Sequence, residues 1–343
     1  MTTPDPIGLD DLVALLGAAS APGPPPGPGT SPLVVVDLDV PGVAVPRVDT
    51  GFTRVVVGIT SRPRPEAHPA APACDLVLGR GGDAVAAVAS TVAAHPLAAT
   101  ALVLLLRGSE RRTVDEGLHA ESAVYSTLQA GPELAAWRAA RPPRARDRRG
   151  DPVTLGRRGG RLEVVLARPD VHNALDRTMR DQLVDAFRLV AADPSITEVH
   201  LRGAGPSFCA GGDLDEFGTF PDPATAHLVR LQQSAGRAVH AVADRVTAHL
   251  HGACMGSGIE LAAFAGTVLA GSTTSIGLPE VGLGLVPGAG GTVSLPRRIG
   301  RHRTARLALT GERIDAATAL GWGLVDGLEA APAGAPPAGA PGP

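Results

Sequence analysis

The chain has 343 residues, of which 44% are hydrophobic and 19% are charged, and its formal net charge is −3. These proportions are ordinary for a globular protein with enough apolar residues for a sizeable core. Because there is no basic stripe and only 3% of the residues are aromatic, we expect no nucleic-acid partner.

The cysteine spacing and the N-terminal sequence bear on disulfides, metal binding and membrane segments. The three cysteines, Cys74, Cys209 and Cys254, are scattered and have no CxxC or His/Cys ligand spacing, so we expect neither a disulfide framework nor a metal site. The start lacks a basic n-region, and no apolar run approaches the roughly 20 residues that span a bilayer. The sequence therefore predicts a cytoplasmic protein without a membrane partner.

In chain order, residues 1–32 combine a short amphipathic stretch with a Pro/Gly run at 21–29. The run cannot form helix or sheet, so we predict a disordered or linker N-terminus over 1–32. Three β-branched segments bounded by Pro or Gly then predict the buried strands of a small α/β appendage over 33–80. These segments are Leu33–Leu38, Arg54–Ile59 and Asp75–Leu78.

Residues 83–140 show helical spacing of apolar side chains. Thr113 followed by Glu116 forms a capping box, which opens a helix with an apolar stripe on one side. We predict three helices in this segment. The stripe consists of Leu118, Tyr125 and Leu128, and the predicted breaks lie near Pro96, Gly108 and Pro132.

The most informative motifs lie between residues 210 and 291. Two glycine turns, AGGD at 210–213 and GSGIE at 256–260, are followed by LPE at 278–280 and VPGAGG at 286–291. Glycine lets the backbone approach a ligand closely, and a strand-turn-helix junction presents unpaired N–H groups. With the carboxylates of Glu260 and Glu280 nearby, the pattern predicts a site that stabilises an oxyanion and moves protons.

Each motif also has a structural interpretation. Glu260 would suit a helix N-terminus, but it is the only acidic residue between Asp244 and Glu280 and lies in an apolar helix, where burial needs a reason. Glu280 after a proline would suit an exposed turn. Cys209 and Cys254 have no adjacent base and are expected to be small buried filler. No Lys-Ser/Thr follows the glycine loop at 288–291, which excludes nucleotide hydrolysis.

Five motifs in this order resemble the crotonase superfamily, the enoyl-CoA hydratases and isomerases: RPDVHNAL at 168–175 and the four described above. The resemblance extends from Leu162 to Asp326. It implies an α/β fold with a repeated β-β-α spiral core over 161–328, to which an N-terminal α/β and helical region is added. A basic linker over 141–160 and a disordered tail over 329–343 complete the predicted organisation; the basic run at 138–149 is alternatively a surface for CoA phosphates.

The resemblance implies a role for individual residues. The backbone N–H groups of Gly212 and Ser257 would stabilise the enolate of a CoA thioester. Glu260 and Glu280 would share the addition of water and the proton transfer, with the Gly288 N–H as a third holder of the water. The implied CoA-binding positions are Asp170, Val171, His172, Ala210, Gly212, Asp213 and Leu214.

The side chains of His172 and Asp213 are not expected to take part in catalysis. The imidazole of His172 is expected to be incidental, because this loop contacts CoA mainly through its backbone. Asp213 is expected to be a helix-start acid and an anchor of its turn rather than a catalyst.

The helical segment at 83–140 resembles the segment that this family carries after its catalytic core. Here it precedes the core, and only a Pro/Ala tail follows Asp326. This order implies a circular permutation, or a duplication that kept one copy of each part. We therefore expect these helices to pack onto the core, their own or a neighbour's.

The function predicted from the sequence is that of an enoyl-CoA hydratase of fatty acid metabolism, which converts a 2-enoyl-CoA into a 3-hydroxyacyl-CoA. The resemblance implies an acyl-CoA substrate, no separate cofactor, no metal, and a homo-oligomer, either a trimer or a hexamer. Two alternatives stay open. One is an enoyl-CoA isomerase or another enolate-forming enzyme of specialised metabolism, and the other is a non-catalytic subunit of a hetero-oligomer.

Overall fold

The computed structural model describes residues 3–20, 31–43, 47–48, 51–141, 144, 150–220 and 222–329. The predicted disorder of the Pro/Gly run at 21–29 and of the tail from residue 330 lies outside these residues, as do residues 142–143 and 145–149 of the basic run at 138–149. The chain forms two compact units. The first comprises Met1–Ala140, Pro279–Val286 and Leu295–Glu312, and the second comprises Arg141–Leu278, Pro287–Ser294 and Arg313–Pro343.

The first unit opens with a three-stranded parallel sheet in the order β1-β2-β3. Valine and leucine fill its strands, and every residue of β2 is buried, as expected for a sheet covered on both faces. The predicted strands are therefore found. The elements are α1 Leu9–Ser20, β1 Leu33–Asp37, β2 Val55–Thr60, β3 Leu76–Gly79, α2 Asp83–Ala94, α3 Pro96–Arg107, α4 Val114–Gln129 and α5 Pro132–Ala140.

Two expectations for this region need correction. The N-terminus is not a linker throughout, because α1 folds and places Leu12 in the core with Val34 and Val36 of β1. The segment at 83–140 forms four α-helices within the described residues rather than three. Its breaks do fall at the predicted positions, and three breaks divide a segment into four. The predicted capping box of α4 is present, with Thr113 N–H donating to Glu116 Oε2 at 2.8 Å.

A buried ion pair ties α3 to the sheet. The guanidinium of Arg107 is 2% exposed, and its Nε and Nη2 donate to the two carboxylate oxygens of Asp75 at 2.8 and 2.7 Å. Arg301, from the segment after residue 294, donates to the carbonyl oxygens of Cys74 at 2.8 Å and Pro72 at 2.9 Å. These bonds explain why part of the predicted core at 161–328 belongs to the first unit.

The helices at 83–140 also contact that part of the chain. Within the first unit, α2, α3 and α5 all contact the 3₁₀ turn Glu280–Leu283. Arg297 Nη2 donates to the carbonyl oxygen of Arg112 at 2.7 Å. The helical segment thus packs against two pieces of the sequence that resembles the catalytic core.

The second unit carries most of the strands, and two of them correct the predicted boundaries: Val153–Arg158 is a strand within the predicted linker at 141–160, and Glu329 of the predicted tail ends the last strand. Its elements are β4 Val153–Arg158, β5 Arg161–Leu166, α6 Arg177–Ala192, β6 Glu198–Gly203, α7 Pro223–Gln232, α8 Ala235–His240, β7 Val246–Leu250, β8 Ala253–Met255, α9 Ser257–Ala262, β9 Thr267–Gly271, β10 Ser275–Gly277, α10 Gly291–Thr310, β11 Ile314–Asp315, α11 Ala316–Trp322 and β12 Gly327–Glu329. Only the first four residues of α10 belong to this unit. The helix bends later, at Gly300, where φ is 75°.

The strands of the second unit form a six-stranded sheet in the order β12-β9-β7-β6-β5-β4 and a three-stranded sheet in the order β11-β10-β8. The chain leaves the larger sheet after β7, enters the smaller one as β8 and continues into α9. The chain crosses from the larger to the smaller sheet in the same way between β9 and β10. After β6, the chain contacts the smaller sheet through a bridge between Cys209 and Cys254. This is the β-β-α spiral of the predicted crotonase fold.

The two faces of the six-stranded sheet differ in polarity. Alternate residues of β5 are buried on the core side, whereas Arg161 and Glu163 form an ion pair on the other side. On that polar side, His200 and His249 stack and hydrogen-bond at 2.7 Å, and His249 Nδ1 lies 2.8 Å from a carboxylate oxygen of Glu329. This polar chain connects β6, β7 and the edge strand β12.

None of the described helices is long and apolar enough to cross a bilayer by itself. Taken together, α2 and Pro96–Arg111 have the length and apolar composition of a membrane span, but the pair is bent by 112° at the break between them.

We predict that Asp75→Asn lowers the free energy of unfolding by about 3–5 kcal/mol, because it removes the carboxylate that compensates the buried Arg107 charge. Urea denaturation measures the loss. Glu66→Gln is the control, since it breaks the more exposed Arg303–Glu66 pair and should cost about 0–1 kcal/mol. Equal losses in the two variants would contradict this account of the buried pair.

Candidate active site

The AGGD turn is held by backbone bonds to the segment before α6. Leu175 N–H donates to the Gly211 carbonyl oxygen at 2.8 Å, and Asp213 N–H donates to the Leu175 carbonyl oxygen at 2.9 Å. A Cβ at Gly211, where φ is 107°, would lie 3.3 Å from the Met255 carbonyl oxygen. Within the described residues the N–H of Gly212 has no acceptor, so it remains available to a ligand.

The second glycine turn opens helix α9. Gly256 has φ 47° and donates its N–H to the Gly277 carbonyl oxygen at 3.0 Å, after which α9 begins at Ser257. The first N–H groups of a helix have no acceptor inside it, and the structure provides none to the Ser257 N–H from any described residue. A Cβ on Gly258 would lie 2.3 Å from the Cys209 carbonyl oxygen. Glycine is therefore required for α9 to pack directly on the segment that leads into the AGGD turn.

Glu260 lies in α9 with only 1% of its surface exposed. Its Oε2 accepts hydrogen bonds from the N–H groups of Ala289 at 2.7 Å and Gly291 at 2.8 Å. A Cβ at Gly291 would lie 2.7 Å from Glu260 Cγ, so this glycine is needed for the contact. Both of these bonds go to Oε2, so Oε1 is the oxygen that could serve a substrate or a water molecule.

Burial determines the protonation of Glu260. Desolvation raises its pKa from 4.5 to about 7, although the bonds from Ala289 and Gly291 act in the opposite direction. A carboxyl group with such a pKa is present in both protonation states near neutral pH, which suits a group that takes up and releases a proton.

The amides of Ala289 and Gly291 were missed from the sequence, which pointed to Gly288 instead. No described residue accepts a bond from the Gly288 N–H, so its predicted role in holding water stays a prediction. The available signal was the glycine run itself, because successive N–H groups in a tight turn form a concavity that binds anions. In this protein the anion is the side chain of Glu260.

Glu280 belongs to the first unit, whereas Gly212, Ser257, Glu260 and Gly288 belong to the second. It begins the 3₁₀ turn Glu280–Leu283 and is 7% exposed. The alternative interpretation as an exposed turn acid is therefore wrong. A buried carboxylate in this position needs a functional or structural reason.

The loop predicted to bind CoA surrounds a short 3₁₀ turn, Pro169–Val171. Asp170 and His172 are exposed there, and Val171 is half-buried. The main chain joins this loop to the AGGD turn, since Ala210 N–H donates to the His172 carbonyl oxygen at 2.9 Å. The His172 imidazole contacts the protein, since its Nδ1 lies 2.9 Å from the Ser207 hydroxyl, and its expected incidental role in CoA binding stays a prediction.

Asn173 is a further residue that sequence reasoning missed as an organiser of this loop. It is fully buried. Its Oδ1 accepts from the Arg168 N–H at 2.8 Å, and its Nδ2 donates to the carbonyl oxygens of Ser207 at 2.8 Å and Phe208 at 3.1 Å. One side chain thus connects the predicted CoA loop to the segment that leads into the AGGD turn.

Asp213 anchors its turn, as predicted, but it does not start a helix. The chain continues as a turn, and the next helix is α7. Asp213 is 4% exposed, and Arg168 Nη2 donates to its Oδ2 at 3.0 Å. This ion pair occupies the carboxylate, and the contact of Asp213 with CoA stays a prediction. Leu214, the next predicted CoA position, is half-buried.

The remaining reactive side chains do not form a second centre. Cys209 and Cys254 are buried, and burial raises the pKa of the Cys209 thiol to about 11 and shifts that of Cys254 in the same direction. Both are thus protonated near neutral pH and unsuited to nucleophilic attack. Among the residues that the structure describes, no group of three His, Cys, Asp or Glu side chains could hold a metal ion.

The comparison with known families covers the segment that contains these residues. The sequence model described as enoyl-CoA hydratase/isomerase matches residues 157–332, just over half of the chain. The chain belongs to the enoyl-CoA hydratase/isomerase family. The match includes both glycine turns, Glu260 and Glu280, and it excludes the helices at 83–140.

Individual relatives match the same part. The chain is 36% identical over 172 residues to a probable mitochondrial enoyl-CoA hydratase 2 of Arabidopsis thaliana, covering 50% of this chain and 57% of the relative. It is 37% identical over 164 residues to the 2,3-dehydroadipyl-CoA hydratase of Escherichia coli K12, covering 48% and 64%. The match therefore spans less than two thirds of either relative.

Among solved structures, an enoyl-CoA hydratase from Thermoplasma volcanium is similar, with a TM-score of 0.49 and 36% identity. The match covers 52% of this chain and 72% of that one.

We predict that Glu260→Gln stabilises the protein increasingly as the pH rises from about 4.5 to above 7. A folded-state pKa raised from 4.5 to about 7 means that the native state favours the protonated form, so the wild type loses stability through this window. Melting temperatures of both proteins across that range measure the difference.

The control is Glu116→Gln, which should behave in the opposite way. Hydrogen bonds from the Thr113 backbone and hydroxyl lower the pKa of Glu116, so its ionised form contributes stability above the unfolded-state pKa and loses it on acidification. If the melting-temperature difference for Glu260→Gln did not change with pH, the assigned pKa would be wrong.

Proposed function

We propose that the protein is an enoyl-CoA hydratase, which adds water to a 2-enoyl-CoA thioester and forms a 3-hydroxyacyl-CoA. The observation that carries this proposal is the buried Glu260, whose pKa lies near 7 and whose Oε2 is held by the backbone. The two N–H groups of Gly212 and Ser257, in neighbouring turns, support it.

The amides of Gly212 and Ser257 would polarise the thioester carbonyl. Attack at the β-carbon builds negative charge on the carbonyl oxygen, and two backbone donors can stabilise the resulting enolate. Removal of one such donor typically costs about 10²–10³ in rate. The donors belong to backbone that is tightly packed around Gly211 and Gly258, so little reorganisation would be needed when the charge forms.

Glu260 and Glu280 would share the proton transfers. One glutamate, in its ionised form, takes a proton from water while the water oxygen bonds to the β-carbon. The other glutamate, in its protonated form, gives a proton to the α-carbon. Return of the proton from the first group to the second then restores both, and the sum is the addition of one water molecule to the double bond. This division requires that the two groups differ in protonation, and the raised pKa of Glu260 makes its protonated form accessible near neutral pH.

The partners follow from the same proposal. The loop at 170–172 and the backbone of the AGGD turn would bind the CoA moiety of the substrate. No separate cofactor or metal would be required. We further propose a cytoplasmic homo-oligomer, a trimer or hexamer, with a role in fatty acid metabolism.

A second candidate is an enoyl-CoA isomerase. Its support is that a similar Bacillus subtilis protein, 35% identical over 179 residues, is named a putative enoyl-CoA hydratase/isomerase. Isomerisation uses the same enolate but only moves a proton between carbons, so the product keeps the substrate mass.

Incubation of the purified chain with a panel of 2-enoyl-CoA and 3-enoyl-CoA thioesters separates the candidates. Hydration removes the enoyl absorbance and adds the mass of water, whereas isomerisation of a 3-enoyl-CoA creates that absorbance at constant mass. Thioester binding without any turnover would instead favour a non-catalytic subunit.

We predict that Glu260→Gln lowers turnover by about 10²–10⁴, the usual range for a positioned acid or base. The amide keeps the side-chain volume and removes the titratable proton, so the dissociation constant of a saturated acyl-CoA should change little. Glu163→Gln, in the ion pair on the polar side of the sheet, is the matched control and should keep wild-type turnover. Undiminished turnover in Glu260→Gln would limit this residue to a structural role.

A further inference from the structure

The turn that carries Glu280 is a small closed unit of backbone. Leu285 N–H donates to the Glu280 carbonyl oxygen at 3.1 Å, and Gly284 N–H donates to the Val281 carbonyl oxygen at 2.9 Å. Val281 and Leu285 are completely buried. The Glu280 backbone therefore moves only if the turn moves as a whole.

The end of this turn lies directly against the start of α5. A Cβ at Gly284 would be 2.6 Å from the Cβ of Glu133 and 2.8 Å from its carbonyl carbon. Gly284 also has a φ of 76°, which side-chain-bearing residues rarely adopt. Close approach and backbone conformation both require glycine here, so the first turn of α5 fixes one end of the Glu280 turn.

Glu133 connects this contact to a second helix. Its Oε1 accepts from the Leu97 N–H at 2.7 Å, and its Oε2 accepts from the Ala98 N–H at 3.1 Å. These amides belong to the first turn of α3, where N–H groups have no acceptor inside the helix and a negative charge is favourable. Glu133 thus holds the starts of α3 and α5 together while its own Cβ and backbone meet Gly284.

We propose that Glu133 is a positioning residue that holds Glu280 in place for the reaction. The inference rests on the proposed function, because it assumes that the position of Glu280 determines the rate of the proposed reaction. The path runs from the α3 amides through the Glu133 carboxylate to the α5 backbone, and from there through Gly284 to the turn. The helices that precede the family-matched region would then contribute to turnover although Glu133 itself does not touch the substrate.

The first test is the kinetics of Glu133→Ala. Alanine keeps the Cβ that packs on Gly284 and removes both bonds to α3, so kcat should fall by about 10–100-fold, the range for a slightly misplaced catalytic group, while KM stays within about twofold of the wild type. Glu133→Gln keeps one acceptor oxygen and should show an intermediate kcat. This partial rescue links the effect to the hydrogen bonds.

Glu116→Ala is the matched control, because it removes a carboxylate that caps α4 in the same unit through the Thr113 N–H at 2.8 Å. A purely structural role for Glu133 would lower the melting temperature of both alanine variants by similar amounts and leave kcat at the wild-type value in both. That result would overturn the proposal.

Amide hydrogen exchange tests the positioning without relying on activity. In Glu133→Ala the amides of Gly284 and Leu285 should exchange at least about tenfold faster than in the wild type, and in Glu116→Ala they should not. If the wild type failed to hydrate any thioester, faster exchange would still support positioning, and unchanged exchange would refute it. If Glu133→Ala did not fold, Glu133→Gln would carry both measurements.

Discussion

The bonds from the Ala289 and Gly291 amides to the Glu260 carboxylate are the interaction on which the site depends. A carboxylate with 1% exposure would be strongly disfavoured without donors. Two backbone N–H groups keep the charged form accessible, and burial keeps the neutral form competitive, so the pKa of Glu260 settles near 7. The same balance would be lost if a side chain at residue 291 displaced the carboxylate.

Around this carboxylate the chemistry is provided mainly by backbone. Gly258 and Gly211 allow close packing on the carbonyl oxygens of Cys209 and Met255, and the structure leaves the amides of Gly212 and Ser257 without acceptors among the described residues. Ser257 is buried and Gly212 is half-buried, and buried N–H groups without acceptors are rare in folded proteins. The free amide of Ser257 therefore supports the proposal that these two turns bind a ligand oxygen.

Much of this could be predicted from the sequence where the signal is local. The β-branched runs gave β1, β2 and β3, the Thr113–Glu116 spacing gave a capping box, and the lone acid in an apolar helix indicated Glu260. What could not be predicted depends on pairings between distant residues. The amide of Ala289 lies 29 positions from Glu260, and Arg301 reaches the Cys74 carbonyl oxygen across 227 positions. The glycine run at 288–291 indicates a loop that can bind an anion but not which carboxylate it binds, and the Arg301 contact leaves no local pattern in the sequence.

The most direct test of the account is the ionisation of Glu260 itself. Carbon-13 NMR of the glutamate carboxyl carbons across pH, with Glu260→Gln used to assign the signal, reports the midpoint in the folded protein. We predict a midpoint near 7. A midpoint near the ordinary value of 4.5 would contradict it, because the residue would then be a permanently ionised acid that the backbone merely stabilises.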